Sequence, residues 1–303
     1  MRSQIAEYFS GRERVRADWR FPDEPGPYPA IIQGPGWYGL KDAKAYESYH
    51  RALTDAGFAV LSIDYRGFGD SEGERGQLSA SGQLEDLING VTYLTTREDV
   101  IPEAIGAFAT GGTGGGNVVM LAGHDPRVRA VVSQFPVADG RAWLRGMRAD
   151  HEWFSYLEEL EEDRRQRVLT GESRRIHPRE QVMVQTPERK TSDFKADVDV
   201  RIEMSVPMSA VDEILRYRPV EAVRGSTTPM MLIGVERDST TPIEHARAIY
   251  EALDGPRRLV MQRHTTHYAA YKKYADQVVP QIVEWFQIHL HPPGDIVVEH
   301  VDR

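Results

Sequence analysis

Residues 105–117, IGAFATGGTGGGN, join a short apolar run to five glycines and two threonines, and the helix-like VVMLAG follows. A strand that turns sharply into a helix through Gly-x-nucleophile-x-Gly lifts its central side chain clear of the backbone. A neighbouring base can then deprotonate that side chain, and the next backbone N–H can hold an oxyanion. This stretch contains no serine, and the chain contains no cysteine, so thiolate chemistry and Cys-ligated metals are excluded. The run GGTGGGN is not followed by the Gly-Lys-Ser/Thr of a phosphate-binding loop. No acidic residue follows at the ~20-residue spacing that a dinucleotide site requires. His264 and His267 stand three apart, a spacing seen in metal pairs, but no third ligand accompanies them at a sensible distance, so no metal and no cofactor are expected.

The elements that would position such a turn alternate along the chain. Ile5 to Phe9 and Val15 to Phe21 read as a hairpin, with Val15, Ala17, Trp19 and Phe21 alternating against polar neighbours. Ala30 to Gln33 reads as a buried strand running into the glycine-rich loop GPGWYG. A helix is expected over Ala43 to Ala56, an apolar strand over Gly57 to Asp64, and a helix over Leu78 to Thr95. Strand Ile105 to Phe108, helix Gly115 to Gly123 and strand Val128 to Ser133 continue the alternation. Strands and helices in that order, with short links, imply a mostly parallel sheet with right-handed crossovers.

After Phe135 the pattern changes. Residues 138–217 are charged and helical, and Trp143, Met147, Phe154, Leu157 and Leu160 recur at helical intervals, as expected of an insertion. The sheet pattern resumes with Pro229 to Val235, helix Ile243 to Leu253, strand Arg258 to Gln262 and a last helix Tyr271 to His289. The tail contains a strand-like DIVVEHV that could pair with a sheet edge of its own chain or of a second copy, a route to a homodimer.

Composition narrows the partners. The 303 residues are 40% hydrophobic and 27% charged, enough for a large core. A net charge of −9 argues against nucleic acid and anionic membranes. No segment approaches the ~18 apolar residues of a membrane span, and the N-terminus lacks the apolar run of a secretory signal. A cytoplasmic protein acting on a small molecule is expected.

Four stretches carry a resemblance that spans nearly the whole chain outside the insertion: DYRGFGDS (64–71), GGGNVVMLAGHDPRVRAVVSQFP (114–136), GVERDSTTP (234–242) and HTTHYAAY (264–271). The chain resembles the α/β-hydrolases, and within them the dienelactone-hydrolase and dipeptidyl-peptidase-like branch. That likeness implies an α/β-hydrolase fold with a core of residues 1–137 and 218–303 and a helical cap at 138–217. It maps the triad acid onto Asp238 and the base onto His267. In such a pair the carboxylate holds one imidazole tautomer and leaves the other ring nitrogen as base.

Members of the branch carry two glycines shortly after the nucleophile, whereas this chain has three in a row, so two registers are open. One puts Thr113 at the nucleophile position and the other Gly112. Positive φ at the elbow would strain a β-branched residue by about 1–3 kcal/mol and leaves glycine free, which favours Gly112 there, with the Thr113 N–H facing an oxyanion. Thr113 remains the alternative nucleophile. In the loop after the first core strand, the resemblance implies the Trp37 N–H as second oxyanion donor, since Pro35 has none. Trp37, Tyr38, Trp143, Trp153, Phe154 and His264 are expected around an apolar pocket. Without a serine, a His–Asp pair over an oxyanion hole can still activate water against an ester, a lactone or a carbon–carbon bond next to a carbonyl. It could also serve a lyase, decarboxylase or cyclase as a proton shuttle, and a silent ligand-binding protein on the same scaffold is the reading from another class.

Overall fold

The computed structural model describes residues 1–186 and 199–290. The strand expected at DIVVEHV therefore lies outside the described residues. Among the described residues there are ten strands: β1 Arg2–Ser10, β2 Glu13–Phe21, β3 Tyr28–Gly34, β4 Ala59–Ile63, β5 Val100–Gly112, β6 Val128–Pro136, β7 Arg175–Ile176, β8 Val206–Pro207, β9 Met230–Val235 and β10 Arg257–Gln262. Eight of them form one sheet in the order β1-β2-β4-β3-β5-β6-β9-β10, while β7 and β8 pair separately. The first three strands of that order are antiparallel neighbours, and from β4 onward every pairing is parallel.

Sequence pattern and position in the sheet agree. The interior strands β4 (AVLSI) and β9 (MMLIGV) are buried at every residue, which is why they read as unbroken apolar runs. The β2 strand, one place from the edge, alternates instead, with Val15, Ala17 and Trp19 fully buried.

Helices α1 Glu47–Asp55, α2 Ala80–Thr95, α3 Thr113–His124, α4 Gly140–Gly146 and α5 Asp150–Thr170 precede α6 Ala210–Arg216, α7 Pro219–Ala222, α8 Ile243–Ala252, α9 His267–Lys272 and α10 Val279–His289. α2, α3 and α8 pack on one face of the sheet. α1 and α10 close the other over Phe108, Phe135, Trp285 and Phe286. This is the α/β-hydrolase architecture, a mostly parallel sheet flanked by helices.

Several expected elements have different bounds. β5 runs four residues past Phe108, because Ala109 to Gly112 continue the ladder against β6 as far as Gly112 opposite Pro136. The helix expected from Ala43 opens instead as a 3-10 turn, Lys44–Tyr46, before α1. The single helix expected over Tyr271 to His289 is two, α9 and α10, joined by a 3-10 turn at Ala275–Gln277. Pro280 explains the break: it has no N–H to donate and its ring would strike the carbonyl four residues back in a continuous helix, whereas the first turn of α10 accepts it.

Among its described residues, the segment between β6 and β9 adds no strand to the main sheet. Its inner face is fixed by Trp153, Tyr156, Leu160 and Asp163 of α5. Arg148 stacks its guanidinium 3.9 Å over Tyr156 and donates to the carbonyls of Leu144, Gln181 and Val182.

Candidate active site

The C-terminal ends of β3, β5, β6 and β9 deliver four loops to one edge of the sheet, where open α/β sheets place their ligands. The turn from β5 into α3 falls at Gly112, with φ 52° and ψ −116°. Gly111 before it is also left-handed, at φ 79°. A Cβ built on Gly112 would meet only the Trp37 Cβ, at 3.6 Å, so the position opens into free space with no side chain to fill it. Thr113 is the first residue of α3, and its carbonyl accepts from the Tyr217 hydroxyl at 3.1 Å. As N1 it has a backbone N–H with no acceptor inside the helix.

The run of three glycines that left the register open has a packing origin. A Cβ on Gly114 would lie 2.5 Å from the Pro35 carbonyl, one on Gly115 2.9 Å from the Gln134 carbonyl, and one on Gly116 2.4 Å from the Tyr217 hydroxyl. Close approach of α3 to β6, to the loop after β3 and to the insertion requires all three.

Asp238 lies in the turn after β9. Its Oδ1 accepts from the Thr240 and Thr241 backbone N–H groups, at 2.7 and 2.8 Å, and its Oδ2 faces His267 Nδ1 at 2.6 Å. One carboxylate oxygen holds the turn and the other holds the imidazole. Both side chains are buried. His267 opens α9, whose N-cap Thr266 accepts from the Ala269 N–H at 3.4 Å. With Nδ1–H committed to Asp238, Nε2 is the free base. Facing Nε2 at 3.3 Å is the hydroxyl of Tyr271, a residue to which sequence reasoning gave no role. The signal was present, because Tyr271 is four residues after His267 and so one helical turn along the same face. Phe135 was missed as well. It sits at the end of β6 with φ 56°, its ring 5.1 Å from the His267 ring and edge-on to Tyr271 at 5.0 Å. Burial pushes the Tyr271 phenol well above its ordinary pKa, so it stays neutral.

These groups open on a cavity of about 1190 Å3 whose wall includes Trp37, Gly112, Trp143, His267 and Tyr271. Trp143 is 2% exposed, donates Nε1–H to the Thr240 carbonyl at 2.8 Å and meets Trp37 edge-on at 5.5 Å. The other expected groups are placed differently. The Trp37 N–H points at the Gly111 carbonyl, at 3.4 Å, so it is turned to the elbow backbone instead of standing free as an oxyanion donor. Tyr38 is buried edge-on against Phe68 and does not line the cavity. Trp153 is buried inside the insertion, away from the cavity wall. Phe154 is 63% exposed, because it falls about 100° around α5 from Trp153 and so off the inward face. His264, at φ 57°, is exposed in the loop ahead of α9.

The sequence pattern of the X-Pro dipeptidyl-peptidase (S15) family matches residues 11–269. The chain belongs to that family. An uncharacterised 31.7 kDa Escherichia coli protein from the traX-finO intergenic region is 30% identical over 288 residues, 92% of this chain and 97% of the relative. The thiohydrolase aneE of Aspergillus aculeatus is 24% identical, with 79% of each chain covered. Among solved structures, the α/β hydrolase GrgF of Penicillium sp. sh18 superposes with a TM-score of 0.80 at 21% identity, covering 96% of this chain and 99% of that one, a likeness of fold. S15 membership supports an enzyme of hydrolase type and leaves the reaction open.

In this S15 chain the acid turn hangs on Trp143. Trp143→Phe removes the bond to the Thr240 carbonyl and leaves a void, and should cost about 2–3 kcal/mol in urea unfolding, the sum of a lost buried hydrogen bond and a small cavity. An unchanged denaturation midpoint would show that this contact does not hold the turn.

Proposed function

We propose that the protein is a hydrolase acting on a small acyl compound, an ester, thioester or lactone or an activated carbon–carbon bond beside a carbonyl, by direct attack of water and without a covalent intermediate at the elbow. The observation that carries this reading is the conjunction of Gly112 at the strand–helix turn, where no side chain can attack, with a His267–Asp238 pair closed at 2.6 Å on the same cavity. His267 Nε2 takes the proton of the water, Asp238 stabilises the imidazolium, and the Thr113 N–H holds the developing oxyanion. Loss of the nucleophile leaves these general-base and electrostatic contributions in place. The thiohydrolase relative is consistent with an acyl substrate.

On this reading the described part of residues 138–217 acts as a cap, with Trp143, Arg179 and Met183 closing the cavity from that side. Among the described residues no helix is long and apolar enough to cross a membrane.

The same pair could move a proton on a bound carbonyl compound without consuming water. Turnover in 18O-enriched water separates the two: hydrolysis places one labelled oxygen in the carboxyl product, and a lyase, decarboxylase or cyclase places none. Unlabelled product from an otherwise active enzyme would end the hydrolytic reading.

A further inference from the structure

A nucleophilic hydroxyl carried at residue 112 would stand between the elbow and the base. In this chain a different hydroxyl is bonded to that base. Tyr271 Oη lies 3.3 Å from His267 Nε2 and lines the cavity. It is packed so closely over the elbow that a Cβ on Gly111 would come within 2.5 Å of it, so glycine at that position is what admits the hydroxyl. The ring is held edge-on by Phe135, and the side chain is 7% exposed. Nε2 thus already has a phenol hydroxyl beside it, and both groups line the same cavity.

We infer that Tyr271 is a catalytic residue: its hydroxyl relays the proton between the attacking water and His267 Nε2. This rests on the hydrolytic reading above. In the first step the Tyr271 O–H proton passes to Nε2, giving an imidazolium paired with Asp238. The water gives a proton to Oη, its oxygen bonds to the acyl carbon, and the carbonyl π pair becomes the oxyanion. In the second step the oxyanion re-forms the carbonyl and the bond to the leaving group breaks. The leaving group takes the Oη proton, and Oη recovers one from the imidazolium. Tyr271 begins and ends each step neutral, as a buried phenol must, and acyl compound plus water gives acid plus the protonated leaving group with no other reactant.

The test uses the full chain with p-nitrophenyl butyrate and S-butyrylthiocholine as probes, comparing wild type, Tyr271→Phe, His267→Gln and the double variant. A relay predicts that Tyr271→Phe lowers kcat about 10²-fold, the scale of one general-base contribution, with KM within about threefold. The double variant should be no slower than His267→Gln by more than about twofold, because the two groups move one proton chain. The dependence of the wild-type rate on deuterium fraction should be curved, as for two protons in flight, and should become linear in Tyr271→Phe. If that variant loses more than about 5 °C in Tm, Tyr271→Met, which also lacks the hydroxyl, carries the same expectation. A Tyr271→Phe enzyme within about threefold of wild type, or losses that multiply in the double variant, overturns the relay while leaving the hydrolytic reading standing. A fully active His267→Gln enzyme, or a wild type that turns over neither probe, overturns that reading and the relay with it.

Discussion

Replacing His267 with alanine is expected to lower kcat by about 10³- to 10⁴-fold while KM changes by less than about fivefold, since the imidazole acts on the proton and the cavity walls bind the substrate. In free energy this is about 4–5 kcal/mol of transition-state stabilisation. The geometry supports a loss of that size. Nδ1 is bonded to Asp238 at 2.6 Å, and the Asp238 carboxylate is oriented by two backbone N–H groups, so the imidazole enters the reaction in one tautomer and one position. Asp238→Asn should fall in the same range, because an amide cannot stabilise the imidazolium and can pair with the wrong tautomer. Steady-state kinetics on an ester or thioester probe, with product affinity measured by calorimetry, decides the matter. If the His267 variant keeps its turnover, the pair is not the catalytic centre. If wild type and variant bind ligand equally and neither turns it over, the protein is a binder on a hydrolase scaffold.

How far the sequence could be read follows the range of the interactions involved. The interior strands were visible because burial on both faces forces an unbroken apolar run, as in MMLIGV of β9. The N-terminal hairpin was visible because the buried side of β2 alternates with its polar side. The split between α9 and α10 was not read, although Pro280 marks it, because an apolar period continuing on both sides concealed the break.

Side-chain destinations were harder to read. Trp153 and Phe154 are adjacent in sequence, yet one is buried and the other 63% exposed. Helical phase decides which of two neighbours turns inward, and the phase was fixed only by the packing of α5. Tyr38 reads as a pocket residue from its place beside Trp37, but a left-handed backbone at φ 56° turns it into the core against Phe68. Tyr271 depends on a contact with His267 within one short helix and on space left by Gly111 in a distant strand. The first half of that is a local signal, and the second is tertiary.

Gly112→Ser should convert the elbow from an open position into a nucleophile. Serine adds a Cβ that meets only the Trp37 Cβ, at 3.6 Å, so no backbone has to move to admit it. The backbone at φ 52° and ψ −116° is unfavourable for any residue but glycine, and holding serine there should cost about 1–3 kcal/mol. That corresponds to a fall in Tm of several degrees, given about 2–4 °C per kcal/mol in a large domain. In exchange, a hydroxyl stands on the same cavity wall as His267, with the Thr113 N–H beside it as oxyanion donor. The variant is therefore expected to form a covalent adduct with a fluorophosphonate, located at residue 112 by peptide mass spectrometry, whereas the wild-type elbow peptide stays unmodified. The adduct should disappear in Gly112→Ser/His267→Ala, since a serine without a base is a poor nucleophile. Gly112→Ser that folds but takes no label would mean that the turn at Gly112 does not face the base, and the water-attack mechanism would lose its geometry along with the serine one. Thr113→Ala, by contrast, removes a hydroxyl and keeps the backbone N–H, so it should leave turnover within about threefold of wild type. A loss of 10²-fold or more there would return the nucleophile to Thr113 and show that the elbow register in solution is the other of the two that the glycine run permits.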